Sequence, residues 1–303
     1  MSERVVVLAG GTGGAKLARG MLDVAGDGLT VIANTADDIE IYGAYVSPDP
    51  DLVTFWLADR IDERGWGLRD DTFAVMDGLR ELGEDVWFSL GDRDLAIGIH
   101  RARRLAEGAR LTETLAELGA ALGVAARVLP MSDEQVRTWV RADAGWMTFQ
   151  EFMIRARAEG PVQDTELRGI GTALPTPEVL AAIAAARAII IGPSNPVISI
   201  GPILTVPEMR HALLDSPAPI VAVSPIVDGS VLKGPTAAFM RWAGYDASTE
   251  AIAACYAGLA DGLVADEPVE GLPVLQTDTL MSDAASRRRV AEQTLTFAEG
   301  LAA

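Results

Sequence analysis

The sequence predicts an α/β protein: a doubly wound, mostly parallel, Rossmann-like sheet with a small antiparallel insertion subdomain. Three observations predict it. Apolar runs without alternation, at Val5–Ala9, Leu29–Ala33, Ala188–Ile191 and Ile220–Val223, suit strands buried on both faces of a parallel sheet. Helical patterns separate them, as parallel crossovers require. Near residues 132–172 the pattern changes to alternating runs joined by Asp143-Ala144-Gly145, a hairpin signature. We therefore expect a Rossmann-like nucleotide-binding core at 1–131 and 173–303 and an antiparallel subdomain at 132–172.

The first strand runs into Gly10-Gly11-Thr12-Gly13-Gly14-Ala15-Lys16, and a helical pattern begins at Ala15. Glycines at a helix N-terminus let backbone N–H groups approach an anion, and Lys16 adds positive charge one turn in. Neither standard phosphate fingerprint is complete. A P-loop needs Ser or Thr after its lysine, where Leu17 stands, and the dinucleotide pattern meets Lys16 in place of its third glycine. Leu29–Ala33 ends in Asn34-Thr35-Ala36-Asp37-Asp38, and Ser47-Pro48-Asp49-Pro50-Asp51 opens a helix expected over about Leu52–Arg60. Asp37, Asp38, Asp49 and Asp51 lie within fifteen residues. Helix capping accounts for one acid per helix. The surplus points to Mg2+, which takes one or two carboxylates plus substrate phosphates.

Farther on, Thr72–Leu82 reads as a helix and Val86–Ser89 as a strand. Leu90-Gly91-Asp92-Arg93-Asp94 then leads into an amphipathic helix that ends near Glu107 and carries His100. Arg93 between two acids is either a surface ion pair or a ligand contact. Val128–Pro130 is a short strand before Ser132, and Asp164–Ile170 a third antiparallel strand. Pro177–Arg187 is a helix, and late strands follow at Gly262–Ala265 and Val274–Gln276. Ala188–Ile191 ends in Gly192-Pro193-Ser194-Asn195-Pro196. In open α/β sheets the ligand crevice lies outside the carboxyl ends of the strands. Gly10–Gly14, Asn34–Asp38, Gly91–Asp94, Ser132 and Gly192–Asn195 are therefore expected around one mouth.

Composition narrows the partners. The 303 residues are 49% hydrophobic, and no apolar run approaches the roughly 18 residues of a membrane span. The net charge of −18 argues against nucleic acid and anionic membranes as partners. Cys255, the single cysteine, excludes an internal disulfide and reads as an inert buried thiol. With no leader pattern at the start, a cytoplasmic protein is expected.

These segments, in this order, resemble the 2-phospho-L-lactate transferase family (CofD, called FbiA in actinobacteria) of coenzyme F(420) biosynthesis. Further matches are Gly65-Trp66-Gly67, Pro130-Met131-Ser132-Asp133, Phe149-Gln150 and Ser224-Pro225-Ile226. The resemblance implies a Mg2+-dependent transfer. The terminal ribityl hydroxyl of the deazaflavin Fo attacks the β-phosphorus of a guanylylated phospho-acid, and GMP leaves. It implies nucleotide and phosphate contacts at Gly10, Gly11, Thr12, Gly13, Lys16, Ser194 and Asn195. Asp49 and Asp51 take catalytic roles, Asp51, Asp92 and Arg93 face Fo, and Asp37, Asp38, Asp49 and Asp51 surround the metal. It also implies a homodimer. The chain departs from the family's usual pattern at Pro50, at Leu52, where a threonine is usual, and at Gly98, where a histidine is usual. The glycine-rich core also resembles the gluconeogenesis-factor proteins, non-catalytic binders of nucleotide-sugars. The broken fingerprint argues against a nicotinamide dehydrogenase.

Overall fold

The computed structural model describes residues 4–231 and 235–302; Met1 and Ala303, the ends of the expected core, lie outside them. In chain order the strands are β1 (Val5–Ala9), β2 (Leu29–Ala33), β3 (Ile39–Ile41), β4 (Ala44–Val46), β5 (Arg127–Pro130), β6 (Arg137–Ala142), β7 (Gly145–Thr148), β8 (Asp164–Arg168), β9 (Ala188–Ile191), β10 (Ile220–Val223), β11 (Ile226–Val227), β12 (Ser230–Val231), β13 (Gly262–Ala265) and β14 (Val274–Gln276). Among the described residues, seven of them form one sheet in the order β14-β13-β10-β9-β1-β2-β5, and every neighbouring pair is parallel.

Both faces of this sheet are covered. The pleat sends Val5, Val7 and Ala9 into one apolar layer, with Leu17 and Met21 of helix α1 (Gly11–Ala25) and Val290 and Leu295 of the C-terminal helix Ala284–Leu301. Val6 and Leu8 enter the opposite layer with Ile183, Ile200 and Ile203. Each such branched side chain contributes roughly 1.5–3 kcal/mol by leaving water. The chain lays β2 and β5 to one side of β1 and β9 onward to the other, so the strand order reverses between β1 and β9. That reversal opens a crevice at the carboxyl ends of the two strands, where Gly10 and Gly192 stand.

The antiparallel insertion is present: β6 pairs with β7 on one side and β8 on the other. Strand β7 stops at Thr148, and Glu151–Arg155 winds into a π-turn that buries Phe152 against Phe239.

Several expected boundaries move. Helix α1 begins at Gly11 rather than Ala15, so the glycines form its first turn. Helix α2 spans Pro48–Leu57 rather than 52–60, with proline at its first position. The expected strand Val86–Ser89 does not form. Phe88 and Leu90 instead pack beneath β4 with Met76 of helix α3 (Ala74–Glu81) and Leu95 of helix α4 (Asp92–Ala106). A short run of three apolar residues fits a packed loop as well as a strand. The hairpin β3–β4 was not anticipated; it turns at Tyr42 and Gly43, both with positive φ, a two-residue turn matched to strand twist. Cys255 is half-buried rather than enclosed.

Candidate active site

The crevice is closed at its base by two tight turns in contact. Gly10 N–H donates to Ser194 Oγ (3.2 Å), tying the end of β1 to the loop after β9. A Cβ on Gly13 would lie 2.0 Å from the Pro193 carbonyl oxygen, so only glycine lets these backbones meet. Asn195 Oδ1 accepts from the amides of Val197 (2.8 Å) and Ile198 (3.2 Å), which fixes the loop. Its buried Nδ2 has no partner and is an unused donor in the crevice wall. The amides of Thr12 and Gly13 belong to the first turn of α1, whose N–H groups lack intrahelical acceptors.

The acids are arranged by role rather than as one ring. Asp49 lies in the first turn of α2, yet its oxygens accept from Gly11 N–H (2.7 Å) and Asn34 Nδ2 (2.9 Å). It therefore bridges the starts of two helices and the end of β2 rather than capping its own helix. Burial raises its pKa to about 6, and the two hydrogen bonds oppose the rise. Asp37 is buried beside Asp49 and Asp38; desolvation, then those two charges, push it well above the ordinary carboxylate range. Asp38 is pushed up to about 7 by burial, against the pull of Arg137 and a hydrogen bond from Ser47 Oγ (2.8 Å). Asp37 Oδ1 and Asp38 Oδ2 are buried without hydrogen-bond partners. A cavity of about 20 Å³ beside them is lined by Arg137, Phe149 and Gln150. That is room for one water-sized occupant.

Asp51 faces elsewhere. Both its oxygens are taken by the guanidinium of Arg101, Nη1 to Oδ2 at 3.0 Å and Nη2 to Oδ1, while Nη1 also reaches the Tyr45 carbonyl (3.0 Å). Arg101 is 1% exposed and Asp51 4%. Asp94 of α4 borders the pair, and burial, then the charges of Asp51 and Asp71, raise it to about 7.

The expected metal set of four is thus divided: Asp37, Asp38 and Asp49 gather, and Asp51 is occupied by Arg101. Among the described residues, no three His, Cys, Asp or Glu side chains stand as a ready ligand set. The two orphaned carboxylate oxygens and the unmet negative charge nevertheless fit a hard cation that takes one or two carboxylates and completes its shell with phosphate oxygens.

Asp92, Arg93 and Lys16, also expected at the site, and His100 of α4 make contacts within the fold. Asp92 accepts from Thr72 Oγ1 (2.6 Å) and the Ala74 (3.1 Å) and Val75 (2.9 Å) amides, securing the start of α3. Arg93 is exposed, and its amide donates to Asp71. Lys16 Nζ reaches the Met281 carbonyl (3.1 Å) and lies over Trp56. His100 pairs with Glu117 at 2.9 Å on the surface. Arg101 was not foreseen as a site residue, and Asn34, expected at the mouth, had no role assigned to it there. The signal for Arg101 was its place on the stripe Leu95, Gly98, Arg101, the face of α4 that turns inward.

A doubly wound sheet whose switch-point crevice joins a glycine turn to buried, uncompensated carboxylates defines a ligand-binding α/β protein of the Rossmann-like class. Among solved structures, a UPF0052-family protein from Bacillus halodurans shares this fold, with a TM-score of 0.61 and 19% identity, over 97% of this chain and 99% of that one. The family profile described as 2-phospho-L-lactate transferase CofD matches residues 5–291. The 2-phospho-L-lactate transferase of Methanosarcina mazei is 37% identical, over 95% of this chain and 98% of its own. The phosphoenolpyruvate transferase of Kitasatospora aureofaciens is 39% identical, over 98% of each. The chain belongs to the CofD family and is a transferase. No helix among the described residues is long and apolar enough to cross a membrane.

Proposed function

We propose that this chain transfers a phospho-acid moiety from its guanosine diphosphate derivative to the hydroxyl of the deazaflavin Fo, releasing GMP, in coenzyme F(420) biosynthesis. The acid is 2-phospho-L-lactate, phosphoenolpyruvate or phosphoglycerate; relatives named for the first two both align over nearly their full length. The observation that carries the reading is the meeting, in one crevice, of the Gly10–Gly13 turn, the Ser194–Asn195 loop and three buried carboxylates, two of which keep an unpartnered oxygen.

In this reading the donor's diphosphate lies over the first turn of α1, and Asn195 Nδ2 donates to it. Asp37, Asp38 and Asp49 would hold Mg2+, which supplies charge neutralisation as the bond to GMP breaks. Asp51, held in plane by Arg101, keeps lone pairs with which to accept a hydrogen bond from the attacking hydroxyl and orient it. Phosphoryl transfer asks for positioning and charge compensation more than covalent help, and these residues offer both.

The test is equilibrium binding of the acceptor. Fo added to the protein with GDP and Mg2+ should change its fluorescence, and the change should saturate. Unaltered Fo fluorescence at high protein concentration, with GDP still bound, would leave a nucleotide-binding protein without this acceptor.

A further inference from the structure

Arg101 carries the most completely buried cation described above, and burying a charge is justified only by what it pairs with. Its guanidinium presents both ends of its fork to Asp51, the geometry that fixes a carboxylate in plane as well as in place. A third contact, to the Tyr45 carbonyl, anchors the fork to β4. The main chain explains how Arg101 gets there. A Cβ on Gly98 would lie 2.9 Å from the Ala44 Cβ and 3.3 Å from the Tyr45 oxygen, so α4 rests on β4 as closely as a helix can. Arg101 stands one turn further along the same face.

We infer that Arg101 is a positioning residue for Asp51, set in place by the approach of α4 to β4 that Gly98 permits. The inference rests on the proposed transfer, in which Asp51 meets the acceptor hydroxyl. It also divides the acidic crevice: Arg101 serves Asp51, Arg137 and Arg101 both act on Asp38, and Asp37 and Asp49 have no internal cation beside them. It gives a reason for glycine at 98 in this chain, since a histidine there would push α4 away and carry Arg101 with it.

The experiment is steady-state kinetics and thermal melting on Arg101→Lys, Arg101→Met, Asp51→Asn and the double variant Asp51→Asn/Arg101→Met. Arg101→Lys keeps the charge and loses the fork; kcat should fall roughly ten- to a hundredfold while KM for donor and Fo stays near the wild-type value. The double variant removes both buried charges, so its melting temperature should exceed that of either single variant, while its kcat should be no lower than that of Asp51→Asn alone. A purely structural pair would instead regain turnover together with stability. Gly98→Ala should lower kcat and the melting temperature together, and adding Ala44→Gly should return both. Unchanged kcat in Arg101→Lys, or additive losses in the double variant, would overturn the inference while the transfer stands. A wild-type protein that melts normally and turns over none of the guanylylated acids would overturn the transfer reading and the inference with it.

Discussion

The buried acids make a quantitative prediction that needs no substrate. Asp38 is lifted from 3.8 to about 7 and Asp49 to about 6, both chiefly by desolvation. A carboxyl whose folded pKa is raised binds its proton more tightly in the native state. The stability it contributes is complete below about pH 4 and is lost as pH rises toward 7. At 1.36 kcal/mol per tenfold change, Asp38 alone accounts for up to about 4 kcal/mol across that window. Roughly half of this falls between pH 5.5 and 8, with a smaller share from Asp49. Without divalent cations, the melting temperature should therefore fall by about 3–5 °C from pH 5.5 to pH 8. Mg2+ competes with protons for the same oxygens. It should restore about 2.7 kcal/mol at pH 8 when present at a hundred times its dissociation constant, and little at pH 5.5. NaCl at matched ionic strength serves as the control for screening. Scanning calorimetry across this grid of pH and salt is the assay. A melting temperature that is flat with pH, or a Mg2+ shift equal at both pH values, would refute the reasoning.

Other expectations follow from the same geometry. Asp51→Asn leaves Arg101 buried without its full counter-charge. It should cost about 3–5 kcal/mol in a denaturant titration as well as roughly a hundredfold in turnover. Asn195→Asp keeps the Oδ1 acceptor that shapes its loop and removes the free Nδ2 donor. Calorimetric GDP affinity should drop at least roughly tenfold while Fo binding is retained; equal loss of both ligands would point to a collapsed loop. Gly13→Ala drives a methyl into the Pro193 carbonyl, so GDP binding and melting temperature should fall together, whereas Gly119→Ala, on an open face of helix α5 (Leu111–Ala121), should leave GDP binding unchanged and raise the melting temperature slightly.

The sheet was legible because its strands are apolar on both faces, and β1, β2, β9, β10, β13 and β14 appear where the unbroken runs placed them. Turn chemistry likewise marked the β6–β7 hairpin. Helix starts were less legible. Packing of Gly13 against Pro193 draws the glycines into α1, a tertiary effect that overrides their poor helix propensity. The crevice residues were readable as strand-end loops, but their division of labour was not. Asp49 reaches Gly11 and Asn34 only because α2 starts at Pro48, and Arg101 reaches Asp51 across fifty positions of chain. An arginine in a helix rich in arginine reads as surface charge until the packed face is known. Asp92 shows the converse: a motif acid beside the crevice serves the neighbouring helix.

The most direct measurement of the central claim is the mass of the product formed from Fo, Mg2+ and each guanylylated acid in turn. The account predicts one Fo adduct carrying the phospho-acid, formed in equal amount with GMP and lost when Mg2+ is chelated. GMP without an Fo adduct would show hydrolysis rather than transfer, and unchanged Fo with every donor would contradict the assignment of this crevice.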